Sequence, residues 1–372
     1  VEEALRWLIY TRARGVGRVR LGHLMEAFPN ADEAWRIGPG ELAAIPGFGP
    51  AVAEAFLAVR RDPDARREAE RDLERARVAG LRLLLLTDPA YPAQLKRIPD
   101  PPPILYQAGP WEDDHRPMVG IVGTRKPTPY GLATAERFGR ELAEAGAVVV
   151  SGMARGIDAA AHKGALSAGG TSIAVLGGGA DLCYPRESMG LYRAMKERGA
   201  ILSEQPPGTE PRRENFPERN RIISGLSHGI VVVEAGEKSG TLITVTHALS
   251  QGREVFAVPG PVTSPMSVGP HRLIREGACL VENARQVLEE LGLLAPSEGR
   301  IERSPIGLSH EEQRLLGWMG TAVWRAGDLA TACGLSIPEV QATLTMLEIR
   351  GAVRRLPDGQ YSRSASANEV SS

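Results

Sequence analysis

Aromatic residues are scarce in this 372-residue chain: six Phe, five Trp and seven Tyr amount to 5%. So few rings argue against a strand-binding surface built mainly by stacking. Net charge is equally thin. Forty-four Lys and Arg stand against 45 Asp and Glu, a formal charge of −1, so any site for a polyanion must be local. The three cysteines, Cys183, Cys279 and Cys333, form no CxxC pair. That spacing excludes a thiolate zinc knuckle and points to buried free thiols in a reducing compartment. No apolar run approaches the roughly 20 residues that span a bilayer. The amino end, Val-Glu-Glu-Ala-Leu-Arg, lacks the basic-then-apolar order of a signal peptide. The expectation is a cytoplasmic protein.

Two nucleotide signatures are missing as well. There is no GxxxxGK[ST], because Lys238 precedes Ser239-Gly240, and no GxGxxG opens a helix with an acid about twenty positions on. No cofactor and no metal are expected. Asp158 and His162 share a helix face at i and i+4, but no third ligand lies within reach. A capping aspartate and a hydrogen-bonded histidine are the simpler assignment.

What is present is a change of rhythm along the chain. Residues 1–79 read as an all-helical domain of helix-hairpin-helix or SAM-like type. Ile45-Pro-Gly47-Phe48-Gly49-Pro has the hairpin pattern, and Gly15-Val16-Gly17, flanked by Arg12, Arg14, Arg18 and Arg20, resembles a degenerate first copy. Two readings stand: sequence-independent backbone binding at an open helix start, or a helical packing module. The mixed charges of Asp62–Arg77 fit a solvated connecting helix.

Residues 80–294 alternate short apolar runs with amphipathic stretches. The runs are Leu81–Leu86, Met118–Val122, Ala147–Val150, Ser172–Leu176, Ile201–Ser203, Ile230–Val233, Glu254–Val258 and Ala278–Val281. Helices are predicted over Gly131–Ala145, Ile157–Ser167, Thr241–Gln251 and Asn283–Leu294. The alternation predicts an α/β fold, a doubly wound, mostly parallel sheet. A linker is expected at 295–308. Residues 309–363 read as three helices and a two-stranded ribbon, a winged-helix domain, and 364–372 as a disordered tail.

Ligands of such sheets bind beyond the carboxyl ends of the strands, and there glycine and phosphate-type groups gather. One run leads into Gly123-Thr124-Arg125-Lys126 and another into Ser151-Gly152-Met153-Ala154-Arg155. A third leads into Gly177-Gly178-Gly179, with Tyr184-Pro185-Arg186 beyond it, and a fourth reaches Ser239-Gly240-Thr241. Glycine admits close backbone approach, and arginine grips phosphate with a planar fork. Four such loops on one edge predict a phosphate-binding rim. The densest motif is Phe216-Pro-Glu-Arg219-Asn220-Arg221-Ile-Ile223. Its two arginines, two apart, point in different directions on a helix. One is expected at a phosphate and the other in an internal pair with Glu204 or Glu234, for instance, with the choice left open.

Together these blocks resemble the DNA-processing protein A family (DprA, also called Smf), from Thr87-Asp-Pro-Ala-Tyr-Pro through Gly277-Ala-Cys-Leu-Val. The resemblance includes Val122-Gly-Thr-Arg125, Ser151-Gly-Met-Ala-Arg-Gly-Ile-Asp-Ala-Ala-Ala-His162, Ser203-Glu-Gln-Pro-Pro-Gly-Thr209 and Arg253-Glu-Val-Phe-Ala-Val-Pro-Gly260. It implies an extended Rossmann-like core and a homodimer that binds single-stranded DNA. It further implies an adaptor that loads RecA onto strands taken up in natural transformation and displaces single-stranded DNA-binding protein. Arg186 stands where many relatives carry lysine, which keeps the charge and changes the geometry.

Two other functions compete. Ser239-Gly-Thr-Leu-Ile-Thr244 resembles the GGxGTxxE stretch of lysine-decarboxylase-like nucleotide-cleaving enzymes. Thr244 occupies the place of the catalytic glutamate, so the general acid/base is missing. A transcription regulator would read duplex through Ser336–Arg350, yet that helix offers Glu339, Gln341, Thr343, Thr345 and Glu348, with Arg350 only at its end. Arg354, Arg355 and Arg363 of the wing are left to touch a backbone. A non-catalytic strand-binding adaptor is the reading carried forward.

Overall fold

The computed structural model describes residues 2–28, 30–294, 309–319, 322–349, 352–355 and 359–363. The expected linker at 295–308, the tail at 364–372 and Arg350 lie outside the described residues. The chain divides into two compact units, Val1–Ala295 and Pro296–Ser372.

In the first unit every apolar run predicted from the alternation becomes a strand. They are β1 (Arg82–Leu85), β3 (Met118–Val122), β4 (Val148–Ser151), β5 (Ser172–Val175), β6 (Ala200–Ser203), β7 (Gly229–Val232), β8 (Glu254–Ala257) and β9 (Cys279–Leu280), and one more strand, β2 (Ile104–Ala108), follows the Pro101–Pro103 cluster. The nine strands form one sheet in the order β1-β2-β6-β5-β4-β3-β7-β8-β9. From β6 to β9 all neighbours are parallel. The other edge is antiparallel, β2 pairing with both β1 and β6. Every residue of β3, β4 and β5 is buried, as it must be where helices cover both faces.

The helices of this region are α7 (Ala93–Lys96), α8 (Pro129–Glu144), α9 (Ile157–Ser167), α10 (Met189–Arg198), α11 (Asn215–Leu226), α12 (Thr241–Ser250), α13 (Val268–Arg275) and α14 (Ala284–Glu290), preceded in the chain by six more. Those six, α1 (Glu2–Tyr10), α2 (Arg18–Ala27), α3 (Ala31–Arg36), α4 (Pro39–Leu42), α5 (Pro50–Val59) and α6 (Pro63–Val78), build the amino-terminal region. Its rings are spent on packing: Tyr10 stacks on Phe56 at 4.1 Å, and Phe48 meets Phe56 edge-on at 5.6 Å.

Both hairpin motifs take the same form. Gly15 (φ +82°) precedes α2, capped at Gly17, and Gly47 (φ +84°) precedes α5, capped at Gly49. Arg20 ties the two turns together by donating to the Gly15 and Gly47 carbonyls at 2.5 and 2.7 Å. Apolar burial runs without a break from Trp7 and Leu8 into Leu84 and Tyr106 of the sheet. Helices and sheet thus share one core.

The second unit packs α15 (His310–Met319), α16 (Ala326–Cys333) and α17 (Ile337–Ile349) around Leu315, Leu329, Val340, Leu344 and Leu347. Gly334, at φ +70°, ends α16. Strands β10 (Val353–Arg355) and β11 (Tyr361–Arg363) pair antiparallel as the wing.

Candidate nucleic-acid interface

The carboxyl ends of β3, β4 and β5 open into one cavity of about 230 Å³. Arg125 and Lys126 enter it from the loop after β3, Gly152, Ala154 and Arg155 from the loop after β4, and Gly177 and Gly178 from the loop after β5. Leu176, Leu182, Tyr184, Pro185, Pro211 and Phe216 complete the wall. The guanidinium of Arg125 lies 5.1 Å from the centre of the Phe216 ring, and Tyr184 sits tilted 6.1 Å from it. Tyr184 is nearly half exposed. This is an aromatic wall with an exposed cation above it, a surface suited to a nucleobase beside a phosphate. Scarcity of rings in the composition argued against it. Phe216 heads the densest motif and Tyr184 precedes Pro185-Arg186, which was the available signal.

Behind the wall, Arg219 supports the glycine loops. It is buried and donates to the carbonyls of Gly152, at 2.8 Å, and Val175. Its Nε donates to Asn220 Oδ1 at 3.2 Å. A Cβ at Gly152 would lie 2.3 Å from its Nη1, so only glycine lets the loop rest on the guanidinium. Burial pulls the Arg219 pKa down to about 10, Asp158 opposes that, and Arg125 adds to it. Asp158 accepts from the amides of Gly152 and Ala154 at 3.2 and 3.4 Å. Burial raises its pKa against the pull of Arg219.

Arg221 has a different fate. Only 1% exposed, it grips Glu204 through Nη2 at 2.7 and 2.8 Å and stands 3.1 Å from Asp100. Its charge is committed inside the protein, which removes it from the candidate phosphate grips. Arg219 is likewise turned to backbone carbonyls rather than to solvent. The expected division, one arginine outward and one inward, gives way to two inward arginines, and the exposed cations of the cavity with no ion pair among the described residues are Arg125 and Lys126. Glu234 does not pair with either. It accepts from Thr128 N at 2.9 Å and Thr128 Oγ1 at 2.6 Å, at the start of α8. Gly131 leaves it room, since a Cβ there would meet Glu234 Oε2 at 2.2 Å.

Two of the loops that the sequence offered to phosphates are therefore answered by the chain's own carboxylates, Glu234 at the start of α8 and Asp158, in the first turn of α9, at the loop before it. The amides of Gly177 and Gly178 have no partner among the described residues. They line the cavity.

The remaining predicted residues are placed as follows. Gly123 packs on Ile157, Thr124 Oγ1 accepts from Lys126 N at 3.2 Å, and Ser151 Oγ donates to the Ile121 carbonyl at 2.5 Å. Arg155 pairs with Glu187 at the cavity mouth. Arg186 is exposed and outside the cavity wall. Ser239 and Thr241 bond each other at 2.9 Å, and with Gly240 they lie beyond β7, away from this cavity. His162 is buried, its Nδ1 2.7 Å from Ser172 Oγ, and burial followed by Arg219 lowers its pKa to about 3.

In the amino-terminal hairpins, Arg12 pairs with Asp72 and Arg18 with Glu218 at 3.2 Å. With Arg20 bridging the turns, these cations are held by the fold. On α17, Glu339, Gln341, Thr345 and Glu348 are exposed. Among the described residues, no cluster of three or more His, Cys, Asp or Glu could hold a metal, and no helix is long and apolar enough to cross a membrane.

Comparison with known proteins gives the family. A family model described as DNA recombination-mediator protein A matches residues 82–292, and one described as the DprA winged helix domain matches 299–359. Protein Smf of Synechocystis is 34% identical over 399 residues, covering 97% of this chain and 99% of the relative. The X-ray structure of DNA processing protein A from Streptococcus pneumoniae superposes with a TM-score of 0.66 at 35% identity, over 77% of this chain and 97% of that one. A Helicobacter pylori DNA processing protein A, whose structure concerns its single-stranded DNA binding mode, gives a TM-score of 0.51 at 29% identity, over 57% and 97%.

Proposed function

This chain belongs to the DNA recombination-mediator protein A family, and on that premise we propose that it is a non-catalytic adaptor for single-stranded DNA. The observation that carries the reading is the cavity beyond β3, β4 and β5. A base stacks against Phe216 and Tyr184 while the adjoining phosphate meets Arg125, Lys126 and the open amides of Gly177 and Gly178. Stacking of this kind contributes about 1–3 kcal/mol per base and tolerates any sequence. The carboxylates near the cavity support the non-catalytic part: Asp158 is bonded to amides, and Glu187 is paired with Arg155. Thr244, in the place a glycosidic-cleaving enzyme needs a glutamate, is buried.

The family resemblance extends the proposal to its partners. The adaptor acts as a homodimer in the cytoplasm, delivers RecA onto incoming single strands and relieves them of single-stranded DNA-binding protein. The test is Arg125→Ala, with folding checked by circular dichroism and binding to oligo-deoxythymidine titrated against salt. Affinity should fall about tenfold or more, and the log–log salt slope should lose about 0.7 for one phosphate contact. Unchanged affinity and slope would falsify the assignment, and steady release of free base from nucleoside monophosphates would move the protein to the enzyme class.

A further inference from the structure

We propose a second strand-binding segment, a groove between α6 and the loop Pro206–Thr209, which takes the phosphodiester backbone as it leaves the cavity. The inference rests on the strand-binding reading above and extends its path onto the amino-terminal helices.

The groove is polar, encloses about 310 Å³, and presents Arg71 and Arg75 from α6 opposite the loop. One helical turn apart, the two arginines fall on one face of α6, and both are exposed. The acids nearby are already answered. Arg12 bonds the buried Asp72 and stands 3.6 Å from Glu68. Arg71 and Arg75 have no ion pair among the described residues, unlike Arg66, Arg67 and Arg77 on the same helix. The mixed charge of α6 therefore sorts by position: Arg66, Arg67 and Arg77 pair within the helix, Glu68 and Asp72 turn to Arg12, and the cations without an ion pair among the described residues stand at the groove.

The opposite bank connects the groove to the cavity. Thr209 accepts from Gly179 N at 2.8 Å, and Gly208 N donates to both carboxylate oxygens of Asp181 at 3.0 Å. These bonds fix the segment against the glycine loop after β5. Pro211, two residues beyond Thr209, lines the cavity, while Pro206–Thr209 line the groove. A single segment, residues 206–211, thus borders both spaces, and the exposed Arg212 and Arg213 follow directly. A strand crossing that segment meets Arg71 and Arg75 next.

The experiment compares the full-length chain with its Arg71→Ala/Arg75→Ala double variant on oligo-deoxythymidine of about six and about twenty nucleotides, lengths bracketing a single compact site and an extended one. The long strand should bind roughly tenfold more weakly to the variant, with a salt slope lower by about 1.4 for two lost phosphate contacts. The short strand should be unaffected, and Arg71→Lys/Arg75→Lys should restore most of the slope because the charge is kept. Equal losses on both lengths, or no loss on either, would overturn the groove. Failure of the cavity reading shows separately, as short-strand binding indifferent to Arg125→Ala, and leaves the length comparison intact.

Discussion

His162 shows how a single buried side chain carries a measurable pH dependence. Ser172 Oγ donates to the Val149 carbonyl at 2.9 Å, so its lone pairs face His162, and the imidazole donates from Nδ1. That leaves Nε2 as a buried lone pair with no partner among the described residues. Protonation would place an unpaired cation in the core, near Arg219, and burial first and that guanidinium second pull the pKa from 6.5 to about 3. The folded state therefore binds fewer protons than the unfolded chain between those two values. Stability from this group is complete above pH 6.5 and is lost as pH falls toward 3, with a slope of up to about 1.4 kcal/mol per unit. The raised pKa of Asp158 acts in the opposite direction over part of that window, so the quantity to measure is a difference. Urea unfolding of wild type and His162→Gln from pH 7 to 4 should give curves that converge as the solution is acidified. Parallel curves would dismiss this account. The hydrogen-bonded histidine was legible because its spacing to Asp158 brings no third ligand within reach. Its serine partner was not, because Ser172 lies across a strand boundary ten residues on.

At the scale of the element, the start of α8 turns inward. Thr128 caps the helix, its Oγ1 accepting from Gly131 N at 3.1 Å while its hydrogen goes to Glu234 Oε1. The loop of Gly123–Gly131 looks from sequence like an anion cradle; its Thr128 end cradles an anion of the chain itself, Glu234 two residues past β7, while Arg125 and Lys126 stay at the cavity. Thr128→Val keeps the shape, deletes the cap acceptor and strips a donor from a buried carboxylate, so it should cost about 1–3 kcal/mol. A urea midpoint within error of wild type would contradict the bracing role. The same limit explains β2. Periodicity exposed eight strands because each stands between turn formers and a helix, whereas Ile104–Ala108 follows three prolines and pairs antiparallel at the sheet's far side. Arg219 and Arg221 were read as diverging, and Glu204 was named as a partner. The carbonyls that hold Arg219 belong to a distant loop and a distant strand end, which no local spacing reports.

For the whole molecule, the decisive fact is which parts share a core. The pattern of the chain changes near Leu81, yet burial does not, since Trp7, Leu8 and Leu21 pack in one cluster with Leu84, Ile104 and Tyr106. Composition reports local structure and is silent on which faces meet. Deleting residues 1–79 would therefore uncover apolar surface of the sheet and remove Arg18 from Glu218 on α11, the helix that carries Phe216 and Arg219. The carboxyl-terminal side differs, because residues 296–372 form a unit of their own. The cavity, its arginines and the α6 groove all lie in the first unit, and the exposed face of α17 offers acids where a duplex reader needs donors. Truncation after Ala295 should accordingly leave single-strand affinity within about a factor of two. A loss beyond about tenfold, 1.4 kcal/mol, would assign strand contacts to the winged helix. A duplex preference that vanishes with that unit would make it the reader and reduce the rim to a scaffold.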